Sequence, residues 1–379
     1  MYINFWYPIC TSDQLKADEP YQTQILGLPF VAFRDTDGLP HVLANTCVHR
    51  GGSLANGLVK DGCIVCPYHG WRYGGDGKCK LVPSLGESKV PARAKVDSYP
   101  TQEKYGIVHA FLGDLPEAER APLFEIEEYG HKDWRASEIM ILNLNAYFER
   151  SMENGLDPSH NEFVHPAQGS PKMRIEDMQE IEMPWGTRFI AAYGEKVIHD
   201  TNLKQLRGNP ADMEASSWTH GPNVLVTWIR FSETNEFHQY FFEQPIDADH
   251  TRIFFINMRN CMMDPKHDER IVSVNLTVTG EDIGILENLD PVRTPETNNR
   301  ELLTPSDHSL VRFRGWLKDF EGRGWRIDRK TLTENDGDIA YAIPCPDRHH
   351  SGNWVLDPIP LMPTAETVST AKRAASKSV

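Results

Sequence analysis

Nothing in this 379-residue sequence reads as a segment built to leave water. No apolar run approaches the roughly twenty residues of a membrane-spanning helix. The opening stretch, MYINFWYPICTSDQLKADEP, lacks the basic n-region and apolar core of a signal peptide. No membrane partner is therefore expected, and the expected location is the cytoplasm. Positive charge is in short supply: 39 Lys and Arg face 54 Asp and Glu, for a net charge of −15. That balance argues against a nucleic acid or an anionic bilayer as partner and is compatible with docking on a basic protein surface. No G-x-G-x-x-G follows a strand and no other nucleotide-binding pattern occurs, so any electrons the protein uses must come from outside. No internal repeat is visible. The seven cysteines (10, 47, 63, 66, 79, 261 and 345) are odd in number and uneven in spacing. This excludes a disulfide framework and leaves metal ligation or buried free thiols.

What is present is ordinary globular material, 40% hydrophobic and 25% charged, in a chain long enough for two cores. From Tyr21 the chain reads as short strands separated by turns: YQTQILG, FVAFRD, Asp37-Gly38 in a hairpin position, and HVLANTC. This predicts an antiparallel β-domain with loops at one end. Two of those loops stand out, Cys47-Val48-His49-Arg50-Gly51-Gly52 and Cys66-Pro67-Tyr68-His69-Gly70-Trp71. Each supplies one thiolate and one imidazole, so together they can hold a two-iron cluster with Cys47 and Cys66 on one iron and His49 and His69 on the other. Neutral histidines in place of two thiolates raise the potential of such a cluster. A Cys2His2 zinc site uses the same ligand set, although this spacing is far from that of zinc fingers. Cys63 and Cys79 read as small buried hydrophobes.

Downstream, 147–165 (YFERSMENGLDPSHNEFVH) crowds two histidines, an aspartate, an asparagine and two glutamates together. Proline disfavours helix in the residue before it, so one helix is expected to end near Leu156 and a second to start with Asp157 as N-cap. His160 and His165, five residues apart, fall on different faces of a regular helix, but Pro166 pushes His165 out of helical geometry. By itself such a pair fits a structural role as well as a ligating one.

Between Pro265 and Leu289 the pattern predicts a long helix with Ile271, Val274, Val278, Ile285 and Leu289 on one stripe. Asp282 falls on that stripe. A buried aspartate is costly unless it is paired with a cation or coordinates a metal, whereas Glu281 and Glu287 lie off the line and are expected in solvent. NVLVTWIRF, HQYFFEQP and TRIFFINMR read as antiparallel strands whose aromatic and β-branched residues could line an apolar pocket or fill a sheet core. The fold class expected is α+β with sheet and helices segregated.

The two Cys/His loops, Trp71 with the following GGDGKCKLVP, and the pattern Asn154-x2-Asp157-x2-His160-x4-His165 resemble the large (oxygenase) subunit of Rieske non-haem iron oxygenases. The resemblance implies an all-β Rieske domain over 1–115 and a helix-grip-like catalytic domain over 116–362; the small, polar and basic composition of the end of the chain predicts a disordered tail over 363–379. It implies a [2Fe-2S] cluster on Cys47, His49, Cys66 and His69, and a catalytic mononuclear Fe(II) on His160, His165 and Asp282. Asn154 and Asp157 belong to the same motif. Asp157 is either a helix cap or the carboxylate that links an iron histidine to a cluster histidine of the neighbouring subunit. A cyclic homotrimer follows from that link. The activity implied is that of a terminal oxygenase: O2 and electrons from an NAD(P)H-dependent reductase, directly or through a ferredoxin, hydroxylate or oxidatively demethylate a largely apolar aromatic or polycyclic substrate. Chain length and the gap between Asn154 and Asp157 resemble the homotrimeric monooxygenase, demethylase and ketosteroid hydroxylase subgroups. The alternatives are a ring cis-dihydroxylating dioxygenase and, from another class, a Rieske electron-transfer protein without catalytic iron.

Overall fold

The computed structural model describes residues 1–166, 172–193 and 213–364. The expected tail over 363–379 lies outside them from residue 365 onward. The chain forms two units, one of Met1–Pro122 together with the chain from Lys318 onward, the other of Leu123–Leu317. The sequence suggested a linear division at 115/116, whereas contacts group the residues after Lys318 with the first 122. The reason lies in buried polar pairing. Asp97 is fully buried, and Arg348 forks onto it with Nε and Nη2 at 2.6 and 2.8 Å. The Tyr99 hydroxyl donates to the Ile343 carbonyl at 2.7 Å. Removing one partner of a buried pair like Asp97–Arg348 costs about 3–5 kcal/mol, so the segment is tied there.

In the first unit, strands β1 (Phe5–Thr11), β2 (Tyr21–Ile25), β3 (Leu28–Arg34), β4 (Pro40–Ala44), β5 (Leu58–Lys60), β6 (Cys63–Val65), β7 (Arg72–Tyr73), β8 (Cys79–Leu81), β9 (Ser98–Tyr99), β10 (Thr101–Lys104) and β11 (Ile107–Leu112) make three antiparallel sheets. Their orders are β1-β11-β10, β2-β3-β4-β9 and β5-β6-β7-β8. The hairpin expected at Asp37-Gly38 joins β3 to β4, with Gly38 at φ +79° and the Asp35 carboxylate accepting from the amides of Asp37 and Leu39.

The second unit is built on a large antiparallel sheet. Its strands are β12 (Arg135–Ala136), β13 (Met140–Leu144), β14 (Met173–Met183), β15 (Gly186–Tyr193), β16 (Met213–His220), β17 (Val224–Arg230), β18 (Glu236–Pro245) and β19 (Thr251–Arg259). The order is β12-β19-β18-β17-β16-β15-β14, with β13 also on β19. Helices α1 (Phe148–Gly155), α2 (Asn161–Val164) and α3 (Asp268–Leu286) carry the candidate site. Val272 and Ile283 of α3 pack on a cluster of Met140, Leu142, Ile253 and Phe255. The architecture is the expected α+β, with an all-β first part and a second part of antiparallel sheet and helices.

Three local expectations are corrected. The long helix is α-helical only over Asp268–Leu286, preceded by a 3-10 turn at Pro265–His267. Its buried face is Ile271, Asn275, Thr279 and Leu286, while Ile285 and Leu289 are exposed. The stripe was misplaced because the inward face of α3 borders a cavity, where polar side chains are tolerated and apolar periodicity is broken. Asp157 does not cap a helix: α2 begins at Asn161, and the Asp157 carboxylate instead closes a tight turn by accepting from the Ser159 amide at 2.8 Å and hydroxyl at 2.5 Å.

Candidate metal centres

The two Cys/His loops of the first unit have the same backbone design. The Cys47 and Cys66 amides donate to the carbonyls of Gly52 and Trp71, and the Gly51 and Gly70 amides return to the carbonyls of Cys47 and Cys66, at 2.8–3.0 Å. Each loop turns at a glycine in the left-handed region, with φ +71° at Gly51 and +70° at Gly70, where a side chain would be strained. Both thiols root in the core among Val31, Leu43, Leu54, Ile64 and Tyr73. Burial pushes the Cys47 thiol up to about 11, partly offset by the Tyr73 hydroxyl 3.2 Å from its sulfur. A thiol in such surroundings becomes a thiolate when a metal cation balances it. The histidines are exposed, and their Nδ1 atoms face each other at 3.1 Å. That spacing suits two nitrogens on one metal ion at about 2.1 Å each. Trp71 stacks on His49 with 5° between the planes and holds the ring. The four residues therefore fit a two-iron cluster with its thiolate end inward and its imidazole end outward.

In the second unit His160, His165 and Asp282 converge. Nε2 of His160 lies 3.1 Å from Nε2 of His165, and Asp282 Oδ1 lies 3.5 and 3.3 Å from the two. A triangle with these edges is the face that three ligands at about 2.1 Å present to one ion, leaving further positions open. As the Pro166 argument required, His165 is non-helical, with φ −110° and ψ 66°. Each ligand candidate is oriented from behind. His160 Nδ1 meets the Asp157 backbone carbonyl. His165 Nδ1 lies 3.0 Å from Glu281 Oε2, and Asn154 Nδ2 donates to Asp282 Oδ1 at 2.9 Å. Burial alone would lower the His165 pKa, but Asp282 and Glu281 more than reverse it, so it is raised.

Glu281 is the functional candidate that sequence reasoning missed. It lies off the apolar stripe that the sequence predicts for α3, yet it sits beside His165. Glu287 is exposed, as expected, and accepts from the Asn145 amide at 2.8 Å. The sequence signal for Glu281 is the adjacency of two acids at 281–282.

The position of α1, which carries Asn154, is set by charge and by a glycine. Arg314 donates to both oxygens of Glu153, at 2.6 and 3.0 Å, and to Glu301 at 2.6 Å, while Arg150 reaches Glu301 at 2.8 Å. At the end of α1 a Cβ on Gly155 would meet Leu225 Cδ2 at 2.1 Å, so a larger residue there would require the Leu225 side chain to shift.

A cavity of about 130 Å³ opens beside the triad. Its sheet wall follows the strand period of two: Leu225, Thr227 and Ile229 from β17, and Gln239, Phe241 and Glu243 from β18. Leu142, Leu144, Phe189, Ile253 and Leu286 make much of the remainder. Across the strands a polar row runs from Ser217 through Thr227 to Gln239, whose amide donates to Asn275 of α3 at 3.0 Å. Among the described residues no Lys or Arg lines the cavity.

Residues 5–100 match the family model of the Rieske [2Fe-2S] domain, and residues 144–321 match the vanillate O-demethylase oxygenase C-terminal domain. The chain is 27% identical to methylxanthine N1-demethylase NdmA of Pseudomonas putida over 84% of its own length and 89% of that protein. It is 26% identical to the oxygenase component of 3-ketosteroid-9-alpha-monooxygenase of Rhodococcus rhodochrous over 83% and 81%. Among solved structures, Pseudomonas putida CBB5 NdmA with caffeine matches at a TM-score of 0.71 and 24% identity over 84% of this chain and 91% of that one. Dicamba monooxygenase bound to 3,6-dichlorosalicylic acid also matches at 0.71, with 21% identity over 84% and 96%. At these identities the structural likeness is one of fold.

Proposed function

The chain belongs to the Rieske non-haem iron oxygenases, as a large, oxygenase subunit, and from that premise we propose which residues hold its metals and what it oxidises. Its cofactors are a [2Fe-2S] cluster and a mononuclear non-haem iron, and it is an enzyme of the monooxygenase type. The zinc reading and the reading as a carrier without catalytic iron therefore fall away. In our reading Cys47, His49, Cys66 and His69 hold the cluster, and His160, His165 and Asp282 hold the iron. When bound, the cluster supplies single electrons and the iron activates O2 at positions that three protein ligands leave open.

The work of the chain's own residues is orientation. The Asp157 carbonyl, the Glu281 carboxylate and the Asn154 amide orient His160, His165 and Asp282 toward one another. The apolar cavity walls exclude water beside the iron site and hold substrate by burial of its apolar surface. A volume of about 130 Å³ compares with the roughly 150 Å³ of an engineered cavity that takes benzene. It supports a substrate with an aromatic ring, hydroxylated or oxidatively demethylated, as the names of the relatives also suggest. Electrons come from an NAD(P)H-dependent reductase, with or without a ferredoxin. The working assembly is a cyclic homotrimer in which Asp157 links the iron site to a cluster histidine of the neighbouring subunit. Among the described residues no helix is long and apolar enough to cross a membrane, and we place the enzyme in the cytoplasm.

The observation that carries this reading is the facial triangle of His160, His165 and Asp282 on the wall of an apolar cavity. Metal and sulfide analysis of the purified protein tests it, with about three irons and two labile sulfides per chain expected. Two irons with two sulfides would refute the second site. O2 uptake with a surrogate reductase, dependent on one of a panel of aryl methyl ethers, N-methyl heterocycles and steroids, then identifies the substrate.

A further inference from the structure

One carboxyl in the cavity wall has no role in holding metal. Glu243, the last cavity-facing residue of β18, is fully buried, and among the described residues no Lys or Arg lines the cavity with it. Ser151 of α1 is its polar neighbour. Ser151 and Asn154 are three apart on α1 and both line the cavity, so Ser151 stands about one helical turn, ~5 Å, from Asn154, which donates to Asp282. Charged groups on the elements around it are committed elsewhere. Arg150 of α1 pairs with Glu153 and Glu301, Arg252 of β19 with Asn143 and Gln244, and Arg230 of β17 with Glu214 and Glu236. Glu149 of α1 is a further acid, not a counter-ion. Burial pushes the Glu243 carboxyl up to about 8, slightly offset by Ser151.

Hydrogen bonding alone does not explain an acid here. The cavity already has neutral donors and acceptors in Ser217, Thr227, Gln239 and Asn275. Gln239 lies four residues along β18, roughly 13 Å from Glu243, so the two ends of the cavity differ in chemistry. The property Glu243 adds, and a glutamine would lack, is the capacity to carry negative charge opposite a cation.

We propose that Glu243 is a substrate-binding carboxyl that selects a ring-sized apolar molecule bearing a basic nitrogen, held as its ammonium or amidinium form. The inference rests on the reading of this cavity as the substrate cavity. On binding, the protonated carboxyl releases its proton to solvent and the cationic ligand takes its place as counter-charge. No bond of the ligand changes and no electron moves. A carboxylate gains nothing at this end of the cavity, where among the described residues it would meet the Glu243 acid and no Lys or Arg.

Benzylamine, benzyl alcohol and benzoate are matched probes of this size. Isothermal titration on the full, metal-loaded chain at pH 7 should show benzylamine binding at least tenfold tighter than benzyl alcohol, and benzoate weakest. Repeating the benzylamine titration in buffers of different ionisation enthalpy should show net release of protons on binding. Glu243→Gln should abolish both the preference and the proton release while leaving the alcohol's affinity within about twofold. No benzylamine binding, equal affinity for amine and alcohol, no proton release, or a preference that survives in Glu243→Gln would each overturn the proposal. The ranking and proton count in the unmutated protein decide it even if the variant does not fold. Iron and sulfide content of the same preparation reads the proposed function separately.

Discussion

Cys47 and Cys66 root in the core of the first unit while His49 and His69 stand exposed on their loops; in the second unit His165 is 2% exposed and its neighbour Asp282 comes from a helix more than a hundred residues away. The first site gathers its candidate ligands from residues 47–69, on two turns with one shared backbone design. The second gathers them from residues 160–282 and orients each with a group drawn from α1, α3 or the Asp157 turn. The difference teaches what each site is for. A centre that exchanges electrons benefits from an outward imidazole edge, whereas a centre that activates O2 needs water kept away and ligands that do not move. The cost of the second design is a set of buried polar groups, stable only while all of their partners are present.

The sharpest way to break this comparison is Asp282→Ala. If the sites are independent in assembly, the variant should lose about one iron per chain and all substrate oxidation. Its cluster absorption should match the parent protein. Residual turnover by O2 uptake would refute the ligand assignment, and loss of the cluster spectrum would refute the independence. A smaller effect is expected from Glu281→Gln, which keeps a hydrogen bond to His165 Nδ1 but removes the charge that raises the basicity of the ring. Iron affinity, read by competition with a chelator, should weaken about 10–100-fold, again with an unchanged cluster. An unchanged affinity would show that Glu281 is only a neighbour. The smallest effect belongs to the other site. Tyr73→Phe deletes the hydroxyl 3.2 Å from Cys47 Sγ, so the cluster potential should fall by tens of millivolts in a redox titration. Iron content should stay constant. A potential that does not move would mean the hydroxyl does not donate to the sulfur.

The same contrast explains what could be read without coordinates. The cluster loops were legible because each is closed by its own backbone bonds and turned by its own glycine, so ligand type and spacing carry the whole design. Asn154, Asp157, His160 and His165 were legible as a motif, and Pro166 told correctly that His165 leaves the helix. Asp157 was misassigned as a cap because its carboxylate closes a turn onto Ser159 instead, a choice between two local partners that sequence does not rank. On α3 the inference to Asp282 relied on an apolar stripe that included Ile285 and Leu289, and both are exposed. Asp282 nevertheless faces the cavity, because that face is polar by design and carries Asn275 and Thr279 as well. Apolar periodicity finds a helix face packed against other side chains; it does not find one that borders a ligand cavity.

By itself, the sequence determined the β-architecture around two Cys/His turns, the order of the motif residues, and the absence of a nucleotide-binding pattern, all of which depend on neighbours within a few residues. The tertiary structure alone decided that Glu281 stands behind His165, that Gly155 admits α1 against Leu225, that the chain after Lys318 returns to Asp97, and that Glu243 is buried in a cavity wall where no described Lys or Arg joins it. Each of these joins segments tens to hundreds of residues apart. Such contacts form only when packing has paid the entropy of closing the loops between them, and no local pattern records which of the possible closures wins.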